Sequence, residues 1–240
     1  PAVIRQRMQL KERIKQRNIT GPILAREYEG RKYMANYEAD ERGKTDYPES
    51  GVVYDVMDPF KGDHIIIIES SGIHANGLSL VRKLATERLP EGYQTPLSSG
   101  KTFGEAILTP THIYAALQRA LFDQGVDIHY IINVTGHGWR KIMRAKREFT
   151  YHIHTIPPAQ EEFRLIQETA QLSDREMYET YNMGAGFVYI VSADDAPLVV
   201  GIAQAQGYEA WNAGVVEEGP KQVVIEPKGI TYKAETLQIR

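Results

Sequence analysis

The sequence predicts an α/β sandwich built on a mixed sheet, and three observations carry that prediction. From His64 onward, apolar runs of strand length alternate with segments of helical spacing. Glycine and Asn/Asp/Ser clusters punctuate nearly every junction between them. The chain has 240 residues, enough for one large domain with a full core, or a domain plus an extension.

The elements follow in order. Residues 3–17, VIRQRMQLKERIKQR, set Ile4, Met8, Leu10 and Ile14 near one face among basic residues and predict a surface or docking helix. Residues 18–60 are rich in Tyr, charge, Gly and Pro, with an exposed loop expected over 38–50, a strand over 51–56 and a turn over 58–63. The domain reading is therefore an N-terminal helix and Tyr/charge-rich extension over 1–50 and one folded domain over 51–240. Strand 64–69 leads through loop 70–77 into a helix over 77–88. The segment SSGKTFGEAIL reads as a mobile loop. A helix follows over about 110–125, with Pro110 in its first turn and Thr109 as its cap. The remaining order is strand 127–133, a TGHG loop, helix 138–146, strand 149–155, helices 159–171 and 173–179, strand 185–192, helix 194–206, and strands 208–215 and 222–226.

Bulk composition excludes several functions. Apolar residues make up 42% and charged residues 25%, with a formal net charge of −3. That balance gives no general attraction to nucleic acid or to an anionic membrane, so any anion site must be local. There is no cysteine, which removes disulfides and thiolate metal sites and fits a cytoplasmic setting. No apolar run reaches membrane-spanning length, and the basic start lacks the apolar centre of a signal peptide. The first residue is Pro1 rather than Met, consistent with a processed product or a fragment of something longer.

Three loops place glycine beside hydrogen-bonding side chains: SSGIHANG (70–77), NVTGHGWRK (133–141) and TYNMGAG (180–186). Glycine permits sharp turns and close approach of a ligand to main-chain N–H groups, and a helix start adds unpaired donors with partial positive charge. Ser70, Ser71, Asn76 and Ser79 supply further polar groups. Arg82 sits at helical spacing from Ser79, and Arg140, Lys141 and Arg144 follow the second loop. Any one such loop is a turn more often than a site. Neither a P-loop nor a G-x-G-x-x-G signature is present. His74 and His137 lie inside glycine loops and are the acid–base candidates. His152 and His154 alternate on a strand, a conceivable metal pair without an evident third ligand. His64, His112 and His129 read as structural or surface residues.

Taken in order, SSGIHANGLSLVRKL, LTPTHIY, NVTGHG and EMYETYNMGAGFVYIV resemble the C-terminal domain of aminoimidazole ribonucleotide synthetase, the phosphoribosylformylglycinamidine cyclo-ligase family, over roughly residues 51–226. The family pattern is close to SSGLHSNGYSLIRK, LLTPTRIY, HITGGG and EMYRTFNMGIGM. The resemblance implies a three-layer α/β/α domain with a mixed sheet. It also implies a part in closing the imidazole ring of formylglycinamidine ribonucleotide in purine biosynthesis, with ATP and magnesium consumed. The resemblance assigns Ser70, Ser71, Gly72, Asn76, Gly77, Ser79 and Arg82 to one wall of a site for a phosphorylated ribonucleotide. Thr135, Gly136, His137 and Gly138 form a second wall, and Asn182, Met183 and Gly184 a third. His74 is the catalytic candidate, polarising substrate or moving a proton. The family's acidic DGVGTK-like motif, which belongs to its N-terminal ATP- and metal-binding domain, is not in this chain, so the expectation is a chain that lacks that domain and is inactive without it. A homodimer is implied, with no nucleic acid or membrane partner.

Departures from the pattern include His137 where the family has glycine, Ala75 for serine and Leu78 for tyrosine. Two other readings stand beside this one. One is a superfamily relative such as formylglycinamidine ribonucleotide synthetase, and the other a non-catalytic ligand-binding or assembly domain.

Overall fold

Ile65, Ile66, Ile67 and Ile68 are all fully buried, although side chains alternate across a strand. The strand must therefore be covered on both faces, and the computed structural model shows how. It describes residues 59–237 together with the backbone of a two-stranded hairpin, β1 (Ala25–Tyr28) and β2 (Arg31–Met34). The expectations for 3–17, 38–50 and 51–56, and the boundary at residue 50, lie outside the described residues.

The strand of isoleucines is β3 (His64–Glu69). It is followed by β4 (Ile128–Asn133), β5 (Phe149–Ile153), β6 (Ala185–Val191), β7 (Ala210–Glu218), β8 (Gln222–Ile225) and β9 (Ile230–Lys233). These make one sheet in the order β4-β6-β3-β7-β5-β8-β9. All neighbours are antiparallel except β5 and β8, so the sheet is mixed.

Helices cover both faces. Ile65 and Ile67 face a core with α1 (Leu78–Glu87), the short α2 (Phe103–Ile107), α4 (Glu161–Ala170) and α5 (Asp174–Thr180), which contribute Val81, Leu84, Phe103, Phe163, Ile166 and Met177. Ile66 and Ile68 face a second core, where α3 (Ala115–Asp123) and α6 (Ala196–Ala205) supply Leu117, Leu121, Val199 and Ala203. Each fully buried isoleucine contributes roughly 2 kcal/mol relative to exposure, which makes β3 the natural centre of the sheet. The result is the three-layer α/β/α sandwich. No helix among the described residues is long and apolar enough to cross a membrane.

Three expectations need correction. The SSGKTFGEAIL segment contains α2, started by a reciprocal capping box in which Thr102 Oγ accepts the Glu105 amide and the Glu105 carboxylate accepts the Thr102 amide. The helix placed at 110–125 starts only at Ala115, because Pro110 and His112 are held against the first glycine loop instead. Residues 138–144 form a 3-10 stretch rather than an α-helix, and β9 was not expected.

At the end of the sheet where β3 and β4 begin, His129 donates to Asp63 at 2.7 Å and lies 3.6 Å from Asp127. Burial alone would lower its pKa, but hydrogen bonding and charge from Asp127 and Asp63 outweigh this and raise it to about 9. A pKa raised on folding stabilises the fold fully below the unfolded value and loses that stabilisation as pH rises through the folded value. We therefore expect the denaturant midpoint to fall as pH is taken from about 7 to about 10, and this slope to flatten in His129→Gln. Chemical denaturation across that range measures it.

Candidate functional site

The sheet order brings the three glycine loops together. β4, β6 and β3 are adjacent, and β6 runs opposite to the other two, with Glu69 facing Ala185 and Asn133 facing Phe187. The carboxyl ends of β3 and β4 thus share an edge with the amino end of β6. Loops 70–77, 134–138 and 181–184 all emerge there.

Asn182 ties them into one unit. It is fully buried. Its Nδ2 donates to the Gly72 carbonyl at 2.9 Å. Its Oδ1 accepts the Ser70 hydroxyl at 3.0 Å and the Gly184 amide at 3.1 Å. Its carbonyl accepts Trp139 Nε1 at 2.8 Å. The Ser70 amide donates to the Gly184 carbonyl, and Asn76 Nδ2 reaches the Val134 carbonyl at 3.4 Å. Ser70, Asn76 and Asn182, all predicted ligand contacts, are therefore interior groups with internal partners.

The glycines explain how closely the loops approach. A Cβ on Gly77 would lie 2.4 Å from the Tyr181 ring, and one on Gly138 would lie 2.2 Å from the Tyr178 carbonyl oxygen. Both residues have positive φ, which an L side chain adopts at a cost. Gly72 and Gly184 are also buried, whereas Gly136 is exposed with open space around it.

The surface of this end is built by other predicted residues. Ser79 and Arg82 are exposed on α1. Gly77 caps α1 in a left-handed conformation without a side-chain cap, leaving the first amides of the helix with no intrahelical acceptor. His137 is exposed, Thr135 and Ser71 are half-buried, and Met183 is buried with φ 47°. Both loop histidines adopt left-handed backbone, His74 with φ 54° and His137 with φ 79°.

His74 is only 8% exposed, and its Nε2 accepts the Ser71 amide at 3.2 Å and lies 3.1 Å from Ser71 Oγ. Burial, reinforced by His112, lowers its pKa to about 4, so it is neutral at physiological pH. Ser71 Oγ in turn donates to the Pro110 carbonyl at 2.7 Å and accepts the His112 amide at 3.2 Å. This binds the second motif, LTPTHIY, to the first loop. His137 Nδ1 pairs with the Gly136 carbonyl at 2.9 Å, which leaves Nε2 facing outward as an acceptor in the neutral ring.

Several residues escaped the sequence reading. Gln160 Nε2 donates to the Ser70 carbonyl at 2.5 Å, so its side chain is turned away from the α4 start that it precedes. No local pattern signals that. Glu162 is 5% exposed, with its carboxylate packed below Gly72, and burial raises its pKa. Trp139 has no role assigned from the sequence, yet its ring nitrogen donates to the Asn182 carbonyl. A cleft of about 640 Å³ opens alongside, lined by Pro157, Pro158, Arg164, Asp174 and Lys228 and reaching Met183. Its charges are internally paired, Arg164 with Glu161 at 3.4 Å and Lys228 with Asp174 at 2.9 Å.

The two strand histidines do not gather a metal set. His152 lies between Glu217 and Glu226 at 3.2 and 3.3 Å, and His154 falls just past the end of β5. Among the described residues no group of three His, Asp or Glu side chains is placed to hold a metal ion.

Comparison with known proteins agrees with the geometry. The family described as "AIR synthase related protein, C-terminal domain" matches residues 61–226. A phosphoribosylformylglycinamidine cyclo-ligase of Methanococcus maripaludis strain C7 is 37% identical over 178 residues, covering 74% of this chain and 49% of that protein. One from Rippkaea orientalis is 37% identical over 169 residues, covering 69% and 49%. The chain spans about half the length of the curated relatives it matches. The crystal structure of E. coli HypE, a hydrogenase maturation protein, superposes with a TM-score of 0.50 at 16% identity over 77% of this chain and 53% of that one, a likeness of fold. With the four motifs joined at one end of the sheet, and a match running from Lys61 to Glu226, the chain belongs to the family of AIR synthase related proteins as its C-terminal domain.

Proposed function

We propose that this chain is the substrate-binding half of a phosphoribosylformylglycinamidine cyclo-ligase, acting in purine biosynthesis on formylglycinamidine ribonucleotide. The observation that carries the reading is the Asn182 hub. It spends buried hydrogen bonds on fixing three glycine loops relative to one another, and leaves Ser79, Arg82, Thr135, His137 and the amides at the start of α1 facing outward. A rigid polar surface of this kind suits a small anionic substrate whose atoms must be held in one pose.

In this reading the side chains divide into two groups. Ser70, Asn76 and Asn182 set loop positions. Neutral His74 holds Ser71 rather than carrying charge to the substrate, and His137 Nε2 offers an acceptor for a substrate N–H. ATP with magnesium would supply activation of the amide oxygen, so that the amidine nitrogen can displace it. The described residues do not fit that group, since they offer neither a phosphate-cradling P-loop nor a gathered carboxylate set. The nucleotide side is accordingly assigned to polypeptide outside the described residues, and this chain alone is not expected to release ADP. A homodimer and a cytoplasmic setting complete the reading.

Calorimetric titration tests it. Formylglycinamidine ribonucleotide should bind saturably, and thiamine monophosphate should not. No heat with the ribonucleotide, or equal heat with both, would sink the proposal.

A further inference from the structure

Lys141 is in an unusual position for a lysine. It lies in the 3-10 stretch after the second loop, and its side chain turns back over the end of β4. The ammonium donates to the Asn133 carbonyl at 3.0 Å and to Thr135 Oγ1. Among the described residues no carboxylate pairs with it, whereas its neighbour Arg140 is paired with Glu179 at 2.7 Å. The charge nearby is another cation, Arg144, which together with burial lowers the Lys141 pKa to about 8. A half-buried ammonium beside a second cation, with no counter-charge among the described residues, is costly unless an anion arrives from outside.

The adjoining turn is prepared for such an anion. Thr135 Oγ1 accepts a hydrogen bond from the Lys141 ammonium, which leaves its own O–H free to donate outward. The Gly138 amide closes the turn on the Thr135 carbonyl at 2.8 Å, while the amides of Gly136 and His137 find no acceptor among the described residues. Gly136 has open space beyond it.

The geometry points to a phosphoryl-binding subsite at the Thr135–Gly138 turn, where the Lys141 ammonium, the Thr135 hydroxyl and the Gly136 and His137 amides together receive a phosphate monoester. The inference deepens the proposed function and rests on it for one point only, that the monoester is the 5′-phosphate of the ribonucleotide. The contacts themselves are those of a charge-assisted anion site, with an ammonium, a hydroxyl and a pair of turn amides.

Ribose 5-phosphate is the probe, with ribose as its uncharged control and the full chain as the protein. The wild type should bind ribose 5-phosphate and not ribose, more weakly as salt is added. Lys141→Met should weaken binding about tenfold or more and flatten the salt dependence, while Lys141→Arg should stay within about threefold. Should Lys141→Met lower the thermal midpoint, Thr135→Val, which leaves the ammonium on Asn133, carries the same comparison with an expected loss of about fivefold. Equal affinity for ribose and ribose 5-phosphate would overturn the subsite. So would a folded Lys141→Met that binds as tightly as the wild type. If formylglycinamidine ribonucleotide binds no better than ribose 5-phosphate, the cyclo-ligase reading fails and the subsite stands.

Discussion

Asn182→Ala is expected to lower stability by about 3–6 kcal/mol and to abolish ligand binding. The substitution strands the Gly72 carbonyl and the Gly184 amide and leaves the Ser70 hydroxyl only a longer contact, 3.4 Å, to Gln160 Oε1. A buried polar group left without a partner costs about 1–3 kcal/mol, and water cannot replace the side chain without opening the joint between the loops. Net stabilities of domains are about 5–15 kcal/mol, so the loss is a large fraction of the whole. Ser70→Ala removes only one of these bonds and should cost about 1 kcal/mol. The double variant should cost less than the sum of the two, because both changes break the same bond. Equilibrium unfolding in urea gives all three values. A loss below about 1 kcal/mol for Asn182→Ala would show that the hub does not hold the loops.

Gly138→Ala is expected to prevent folding or to destabilise by more than about 4 kcal/mol, while Gly136→Ala two residues away changes stability by less than about 0.5 kcal/mol. At Gly138 the new methyl carbon would sit 2.2 Å from the Tyr178 carbonyl oxygen and 2.8 Å from the Glu179 carbonyl carbon. These are backbone atoms of the last turn of α5 and cannot rotate away. The φ of 52° adds strain of its own. At Gly136 no heavy atom lies within 4 Å of the added carbon, and φ is not positive. Soluble yield, circular dichroism and thermal unfolding of the pair decide the matter. A well-folded Gly138→Ala would mean that the second and third loops are less tightly joined than described.

Local patterns in the sequence carry much of the fold. Four consecutive isoleucines require a strand covered on both faces, and most helices fall within two or three residues of their periodic segments. What went unread locally was capping. Thr102–Glu105 and Ser173–Glu176 both form reciprocal boxes, and the first would have revealed α2 inside an apparent loop. The late start of α3 was not legible, because the Ser71 hydroxyl that holds Pro110 and His112 belongs to a segment about forty residues earlier in the chain.

The candidate site divides along the same line. The order of the four motifs could be read, and with it a resemblance. The orientation of each side chain could not. Adjacent serines 70 and 71 look equivalent in sequence, yet Ser70 is 1% exposed and bonded to Asn182 while Ser71 sits at the surface joint with Pro110. That difference is set by where β3 ends against β6, a register formed between residues more than a hundred positions apart. The role proposed for Lys141 depends on the lack of a partner carboxylate among the described residues, and such a lack leaves no motif.

The bonds that organise the loops span long stretches of chain: Ser70 to Asn182 is 112 residues, Gly72 to Asn182 is 110, and Trp139 to Asn182 is 43. Closing such distances is entropically slow, and the reward comes only once the sheet is in place. A nascent chain synthesised only as far as α4 already contains the first two glycine loops but has nothing to fasten them to. The joined loops therefore mature in one step, after Asn182 leaves the ribosome and β6 inserts between β3 and β4. In the finished protein, the Ser70 and Gly184 amides should exchange with deuterium only through openings that dismantle the centre of the sheet.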